Sequence, residues 1–256
     1  LLQALRELQA PVYGPITVLF QQQVRLKLGC FVVHSHKLKD KNIQAVLFDM
    51  DGVLSDTQRL HATCESEILK RYGITASPEE ITLRFAGVPD TIFFNQIFSE
   101  HKLTPPPLEQ ITEEKWTLFN SAISKFGISA IPYAVELAKS CHQHGIKLAV
   151  ASGSPLWFIK QVVAALEVAP YFSALVSSDE VAHGKPAPDI FLEAARRINI
   201  PAQNCLVIED GMSGMHGARA AGMKCIGLIS DRTKPWPADM LVESLREVTV
   251  EKIAEL

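Results

Sequence analysis

The feature that most constrains this chain is where its short apolar runs end. Ala45-Val46-Leu47-Phe48 stops at Asp49, and Cys205-Leu206-Val207-Ile208 stops at Glu209-Asp210. A run this short with no polar alternation reads as a strand buried on both faces, which is the habit of parallel sheets. From Ile131-Pro132 onward, strands and helices alternate. Helices are expected over residues 133–144, 155–166, 188–198 and 213–221. Strands are expected over 146–151, 174–177, 205–208 and 223–229. Strands joined by helices of this length imply a parallel sheet covered on both sides. The fold class expected is therefore α/β, a Rossmann-like parallel sheet core.

Residues 57–126 break the alternation. They read as successive helices with stops at Gly73, Ser77-Pro78, Gly87-Val88-Pro89 and Pro105-Pro106-Pro107. Ser77-Pro78-Glu79-Glu80 supplies an N-cap, a first-turn proline and two acids at the positive helix end. The expected division is a core of residues 43–56 and 128–256 with an inserted helical cap over 57–127. Phe93, Phe94 and Phe98 are expected to form the cap interior.

The first 42 residues differ in charge. Arg6, Arg25, Lys27, Lys37, Lys39 and Lys41 stand against Glu7 and Asp40, and Leu8 to Lys39 holds no acid. The whole chain carries −3, so this segment carries +4 and the remainder −7. Such a leader reads either as an unstructured extension or as an organellar transit segment. Val24 to Leu28 alternates weakly, as a strand does. The initial Leu in place of Met reads as a fragment or a translated upstream region. Localisation is expected to be cytoplasmic, or organellar if the leader is a transit peptide.

Net charge gives no sign of nucleic-acid binding. No apolar run reaches the ~18 residues that span a bilayer. Cys30, Cys64, Cys141, Cys205 and Cys225 form no Cys-x-x-Cys pair and read as buried thiols. His34, His36, His142 and His144 read as surface residues, Trp157 and Phe158 as helix packing with the lining of the site entrance as the alternative, and Trp236 between two prolines as a loop anchor.

Ligands of open α/β sheets sit at the carboxyl ends of strands. Four polar clusters fall there: Asp49-Met50-Asp51-Gly52, Ser152-Gly153-Ser154, Gly184-Lys185-Pro186 and Glu209-Asp210-Gly211. Four acids crowded at one sheet edge repel one another and resist ionising. A hard divalent cation with oxygen ligands removes the conflict, and magnesium suits a few carboxylates plus a phosphate. Lys185 adds positive charge. Ser152 offers a hydroxyl, and Gly153 lets backbone N–H groups approach a phosphate. Asp49 is then the candidate nucleophile and Asp51, two residues on, the candidate general acid and base.

These motifs resemble the haloacid dehalogenase superfamily, in its phosphoryl-transfer branch with a helical cap. The resemblance runs from about Gln44 to Ile229. It rests on Phe48-Asp49-Met50-Asp51-Gly52-Val53-Leu54-Ser55-Asp56-Thr57, Ala151-Ser152-Gly153-Ser154, His183-Gly184-Lys185-Pro186-Ala187-Pro188-Asp189 and Val207-Ile208-Glu209-Asp210-Gly211. It implies magnesium held by Asp49, the Asp51 carbonyl and Asp210, with Glu209 close by. It implies a phosphatase acting on a small phosphorylated metabolite, a phosphosugar mutase like β-phosphoglucomutase being the first alternative. A catalytically idle binding module is the alternative of another class. Thr57 and His61 match the cap hinge of β-phosphoglucomutases; His61 reads equally well as a solvated residue on an amphipathic helix. Those mutases grip a second phosphate with a cap arginine after a Gly-Val pair. Here Gly87-Val88-Pro89 leads to Asp90, an acid expected to repel that phosphate.

Overall fold

The computed structural model describes residues 43–256. The basic leader of residues 1–42, with Cys30, His34, His36 and the alternation at 24–28, lies outside the described residues.

Six strands form one parallel sheet: β1 (Ala45–Phe48), β2 (Lys147–Ser152), β3 (Phe172–Ser177), β4 (Cys205–Glu209), β5 (Lys224–Leu228) and β6 (Met240–Val242). Their order is β3-β2-β1-β4-β5-β6. All four residues of β1 are buried, as a strand covered on both faces requires. Register pairs Phe48 with Val150 of β2 on one side and Ile208 of β4 on the other. The chain builds outward from β1 through β2 to β3, then returns to lay β4, β5 and β6 on the opposite side. The order therefore reverses at β1 and β4, and a crevice opens beyond their carboxyl ends.

The covering helices are α5 (Ala134–Gln143), α6 (Leu156–Ala165), α7 (Asp189–Ile198), α8 (Met212–Ala220) and α9 (Val250–Ala254), numbered after the four helices of the insertion. Ile190, Phe191, Ala194, Ala195 and Ile198 make a single buried stripe on α7 against Leu47, Ala149 and Val207. Its outer face carries Glu193 paired with Arg196 and Arg197. The four described cysteines are buried, and His142 and His144 are exposed. Trp236 packs against the sheet core and donates its indole N–H to the Asp231 carbonyl at 2.7 Å.

Between β1 and α5 the chain makes α1 (Gln58–Arg71), α2 (Pro78–Phe85), α3 (Asp90–Glu100) and α4 (Leu108–Phe126). The Ser77 hydroxyl caps α2 by accepting from the Glu80 N–H at 3.1 Å. Phe93, Phe94, Ile97 and Phe98 fill an apolar interior belonging to this insertion alone. The two chain crossings between insertion and core run side by side. The Asp56 N–H donates to Ser129 O at 2.9 Å, and the Ile131 N–H to Leu54 O at 3.1 Å. Two short strands of backbone are thus the covalent connection on which the cap sits.

Candidate active site

Asp49 follows β1 at the point where the strand order reverses. Its backbone N–H continues the ladder to Ile208 O at 3.0 Å, so the sheet fixes where its side chain emerges. The residue is 2 % exposed. The Lys185 ammonium, fully buried, reaches Asp49 Oδ1 at 2.5 Å and Glu209 Oε1 at 2.7 Å. Glu209 Oε2 accepts from the Gly211 N–H at 2.9 Å. Both Glu209 oxygens are therefore engaged.

Oxygens of Asp49, Glu209 and Asp210 lie within 4.8 Å of one another. One ammonium serves three carboxylates. Burial raises Asp49 to about 8; Lys185 opposes that rise, while Glu209 and Asp51 add to it. Asp210 is also raised, by burial first and then by Glu209 and Asp49. A cluster of hard oxygens with uncompensated negative charge is the donor set for a hard divalent cation.

Gly52 makes room for this cluster. Its φ is +91°, where only glycine is unstrained, and an added Cβ would lie 2.0 Å from Asp210 Oδ2. The Asp-x-Asp-Gly string therefore needs its glycine twice, for the turn and for the close approach of the fourth motif.

Asp51 is held differently. Thr57 Oγ1 donates to its Oδ1 at 2.5 Å and Ser154 Oγ to its Oδ2 at 2.8 Å. Ser152 Oγ donates to Oδ2 at 3.4 Å and accepts from the Ser154 N–H at 3.0 Å. His61 Nε2 stands 3.3 Å from Oδ1. Burial works to raise Asp51, but His61, Thr57 and Ser154 overcome it and hold the group down at about 2. The two carboxyls are thus driven apart, Asp49 up and Asp51 down.

His61 is buried at 6 % exposure, not solvated. Its ring stacks on Phe119 at 4.1 Å and meets Trp116 and Phe158 edge-on at 5.3 and 5.9 Å. Trp157 takes the second of its two expected places, at the cavity. It is 47 % exposed and lines the cavity, while its neighbour Phe158 is buried.

The segment Ala86–Pro89 of the cap presses on three core motifs. A Cβ on Gly153 would lie 2.9 Å from Gly87 O, one on Gly211 2.8 Å from Ala86 O, and one on Gly184 2.7 Å from Pro89 Cγ. Gly87 itself has φ +76° and sits against the Lys185 stem. Gly211 of the fourth motif thus has a physical reason: a larger residue there would push the cap away.

In front of Asp49 and Asp51 lies a cavity of about 380 Å³. Asp90 lines it, and it is paired with a cation. Lys115, 2 % exposed, reaches Asp90 Oδ1 at 2.5 Å and Glu65 Oε1 at 3.2 Å. Sequence reasoning missed Lys115, Glu65, Ser154 and Asp179, all of which line or support the cavity. Ser154 alone carried a signal, being the third residue of the Ser-Gly-Ser motif.

A family model described as Haloacid dehalogenase-like hydrolase matches residues 46–228. A bifunctional riboflavin kinase/FMN phosphatase of Arabidopsis thaliana is 34% identical over 85% of this chain and 57% of its own length. The chain therefore spans little more than half of that plant relative. The fructose-1-phosphate phosphatase YqaB of Escherichia coli is 32% identical over 71% of this chain and 94% of its own. Among solved structures, CbbY from Rhodobacter sphaeroides in complex with phosphate superposes with a TM-score of 0.70. It is 27% identical and covers 84% of this chain and 100% of its own. Motif order, sheet topology and the match over most of the described residues agree: this chain belongs to the haloacid dehalogenase-like hydrolases.

Proposed function

We propose that this protein is a magnesium-dependent phosphatase that hydrolyses a small phosphorylated metabolite through a phosphoryl group carried on Asp49. The observation that carries the reading is a buried Asp49 lining the cavity, with Lys185 on one oxygen and an under-neutralised pair, Glu209 and Asp210, beside it. The phosphate bound in CbbY and the phosphatase names of the plant and bacterial relatives support it.

Asp49, Asp210 and the Asp51 carbonyl are the proposed magnesium ligands. Glu209, with both oxygens engaged by Lys185 and Gly211, stands behind them and orients the lysine. Bound magnesium supplies the positive charge that lets one anion approach another and keeps Asp49 ionised near neutral pH.

In the first step an Asp49 oxygen attacks phosphorus and the bond to the leaving oxygen breaks. Asp51 gives its proton to that oxygen, releasing an alcohol. Held at about 2, Asp51 is ionised near neutral pH and carries no proton to give until substrate binds. A phosphoryl dianion beside it raises its proton affinity, which ties protonation to substrate binding. In the second step Asp51, now ionised, takes a proton from water. The water oxygen attacks phosphorus, the bond to Asp49 breaks, and inorganic phosphate leaves. Lys185 holds charge on the phosphoryl oxygens throughout. The Ser152 hydroxyl and the Gly153 backbone are the proposed contacts to the same oxygens. Thr57 and His61 keep Asp51 oriented toward the cavity. Gly87 closes the cap over the site, excluding water from the first step.

Against a β-phosphoglucomutase-like reaction stands the Asp90 position. Its carboxylate and that of Glu65 hold Lys115 between them, so among the described residues this wall presents net negative charge to a second phosphate. Given a sugar monophosphate, the enzyme is expected to release inorganic phosphate with no isomer formed. Isomer without free phosphate, followed by nuclear magnetic resonance, would establish the mutase instead.

Gly52→Ala probes the metal site. Its methyl group must displace the Asp210 carboxylate. The magnesium concentration for half-maximal activity is expected to rise roughly 10–100-fold, measured by titrating chelator-stripped enzyme. An unchanged midpoint would remove Asp210 from the site.

A further inference from the structure

Six large apolar side chains are exposed among the described residues, and of these only Trp157 lines the catalytic cavity, at 47 % exposure. Singly exposed apolar residues are ordinary on a protein surface. A half-exposed indole beside the reacting groups is different, because it carries more apolar area than any other side chain and its place there is fixed. Trp157 stands in the first turn of α6, three residues past the Ser154 that holds Asp51. The second motif therefore delivers a ring and a phosphate-binding turn to the same cavity. The phosphoryl chemistry uses the turn and leaves the ring without a task.

Trp157 is the open end of an aromatic row. It meets Trp116 at 5.0 Å and Phe158 at 5.7 Å, at steep interplanar angles of 67° and 63°. Among the described residues no ring lies parallel to it and no cation stands over it. Trp116 is held on several sides. The Lys115 ammonium stands 4.9 Å over its ring, and His61 and Phe119 meet it edge-on at 5.3 and 5.1 Å. The wall is thus rigid, with its outermost ring uncovered. A second, independent observation is polar. Trp116 lines the cavity at 9 % exposure, yet its indole N–H donates to no acceptor among the described residues. A buried indole N–H normally finds one, as that of Trp236 does at the Asp231 carbonyl. A flat ring with acceptor atoms at its edge answers both needs, stacking on Trp157 and accepting from Trp116. The cavity of about 380 Å³ has room for a phosphoryl group and such a ring.

We infer that Trp157 and Trp116 form a ring-binding subsite for the leaving group, and that the enzyme prefers phosphomonoesters of alcohols that carry a planar aromatic ring, a heteroaromatic one above all. Trp157 is then a specificity-determining residue. This rests on the phosphatase reading.

The test compares esters of primary alcohols matched except for the flat ring, using the full chain with magnesium. Benzyl phosphate is set against cyclohexylmethyl phosphate, which has the same number of ring atoms but no flat face. Uridine 5′-monophosphate is set against the 5-phosphate of methyl riboside, which lacks the base. In at least one pair the flat ring is expected to raise kcat/KM about fivefold, the effect of one well-placed ring pair. Trp157→Leu removes the stacking face from a half-exposed position and is expected to bring that ratio down to about two or less, whereas Trp157→Phe keeps most of it. A merely structural tryptophan would lower both members of a pair alike. Parity or a disadvantage for the flat ring in both pairs overturns the inference, as does a ratio that Trp157→Leu leaves unchanged. Those results spare the phosphatase reading, because phosphate released from the two ring-free or saturated esters still reports it. Absence of phosphate release from every ester sinks both.

Discussion

Asp49→Asn is expected to lower phosphate release by about 10⁴-fold or more while leaving the fold intact. The amide keeps the size of the carboxylate but cannot carry a phosphoryl group. Two neighbouring carboxylates are already engaged. Asp51 is tied by Thr57 and Ser154, and Glu209 by Lys185 and the Gly211 N–H. Stability should hold, because the change removes one of three crowded carboxylates and Lys185 keeps Glu209 at 2.7 Å. Phosphate release and thermal melting on the same preparation check both halves. Retained activity would point to some other nucleophile and would end the Asp49 mechanism.

The second large effect is on stability and lies in the cap. Lys115→Met is expected to destabilise the protein by about 3–5 kcal/mol, because it strands two carboxylates in a buried setting. Lys115 joins three helices, with Glu65 from α1, Asp90 from the start of α3 and itself from α4. Burial alone would lower its affinity for the proton, yet the two acids raise it above the ordinary lysine range. That excess is stabilisation lent by the partners. For a chain of this size the melting temperature should fall by roughly 10 °C. Combining Lys115→Met with Glu65→Gln and Asp90→Asn removes the stranded charge and is expected to recover most of the loss. If the single substitution melts like the parent, the cluster carries no net stabilisation.

The parallel core was legible because each strand is an apolar run closed by a polar cluster, and each helix an apolar stripe. What escaped was short or depended on distant partners. β6 is only Met240-Leu241-Val242 after a proline-rich loop, too brief for a period to declare itself. β3 begins two residues earlier than its apolar core, since Phe172-Ser173 reads as loop until β2 pairs with it. Asp49, Lys185 and Glu209 could be picked out from motif chemistry, and the structure brings them to a single point. Lys115 could not. In Glu113-Glu114-Lys115 it looks like any solvated charge, and its burial exists only because Glu65 and Asp90 arrive from other helices. The same holds for His61, whose burial is created by Trp116, Phe119 and Phe158. Local pattern encodes elements and strand-end chemistry; it does not encode which charged side chain a neighbouring helix will cover.

The most direct measurement is to catch the phosphoryl group in transit. Enzyme mixed with substrate and magnesium is quenched in acid within a turnover, treated with borohydride and digested. Borohydride reduces an acyl phosphate to an alcohol, so mass spectrometry should find homoserine in place of aspartate at position 49 and nowhere else. Aspartate intact at position 49 while phosphate is released in the same quench, or reduction at another carboxylate, would contradict the account.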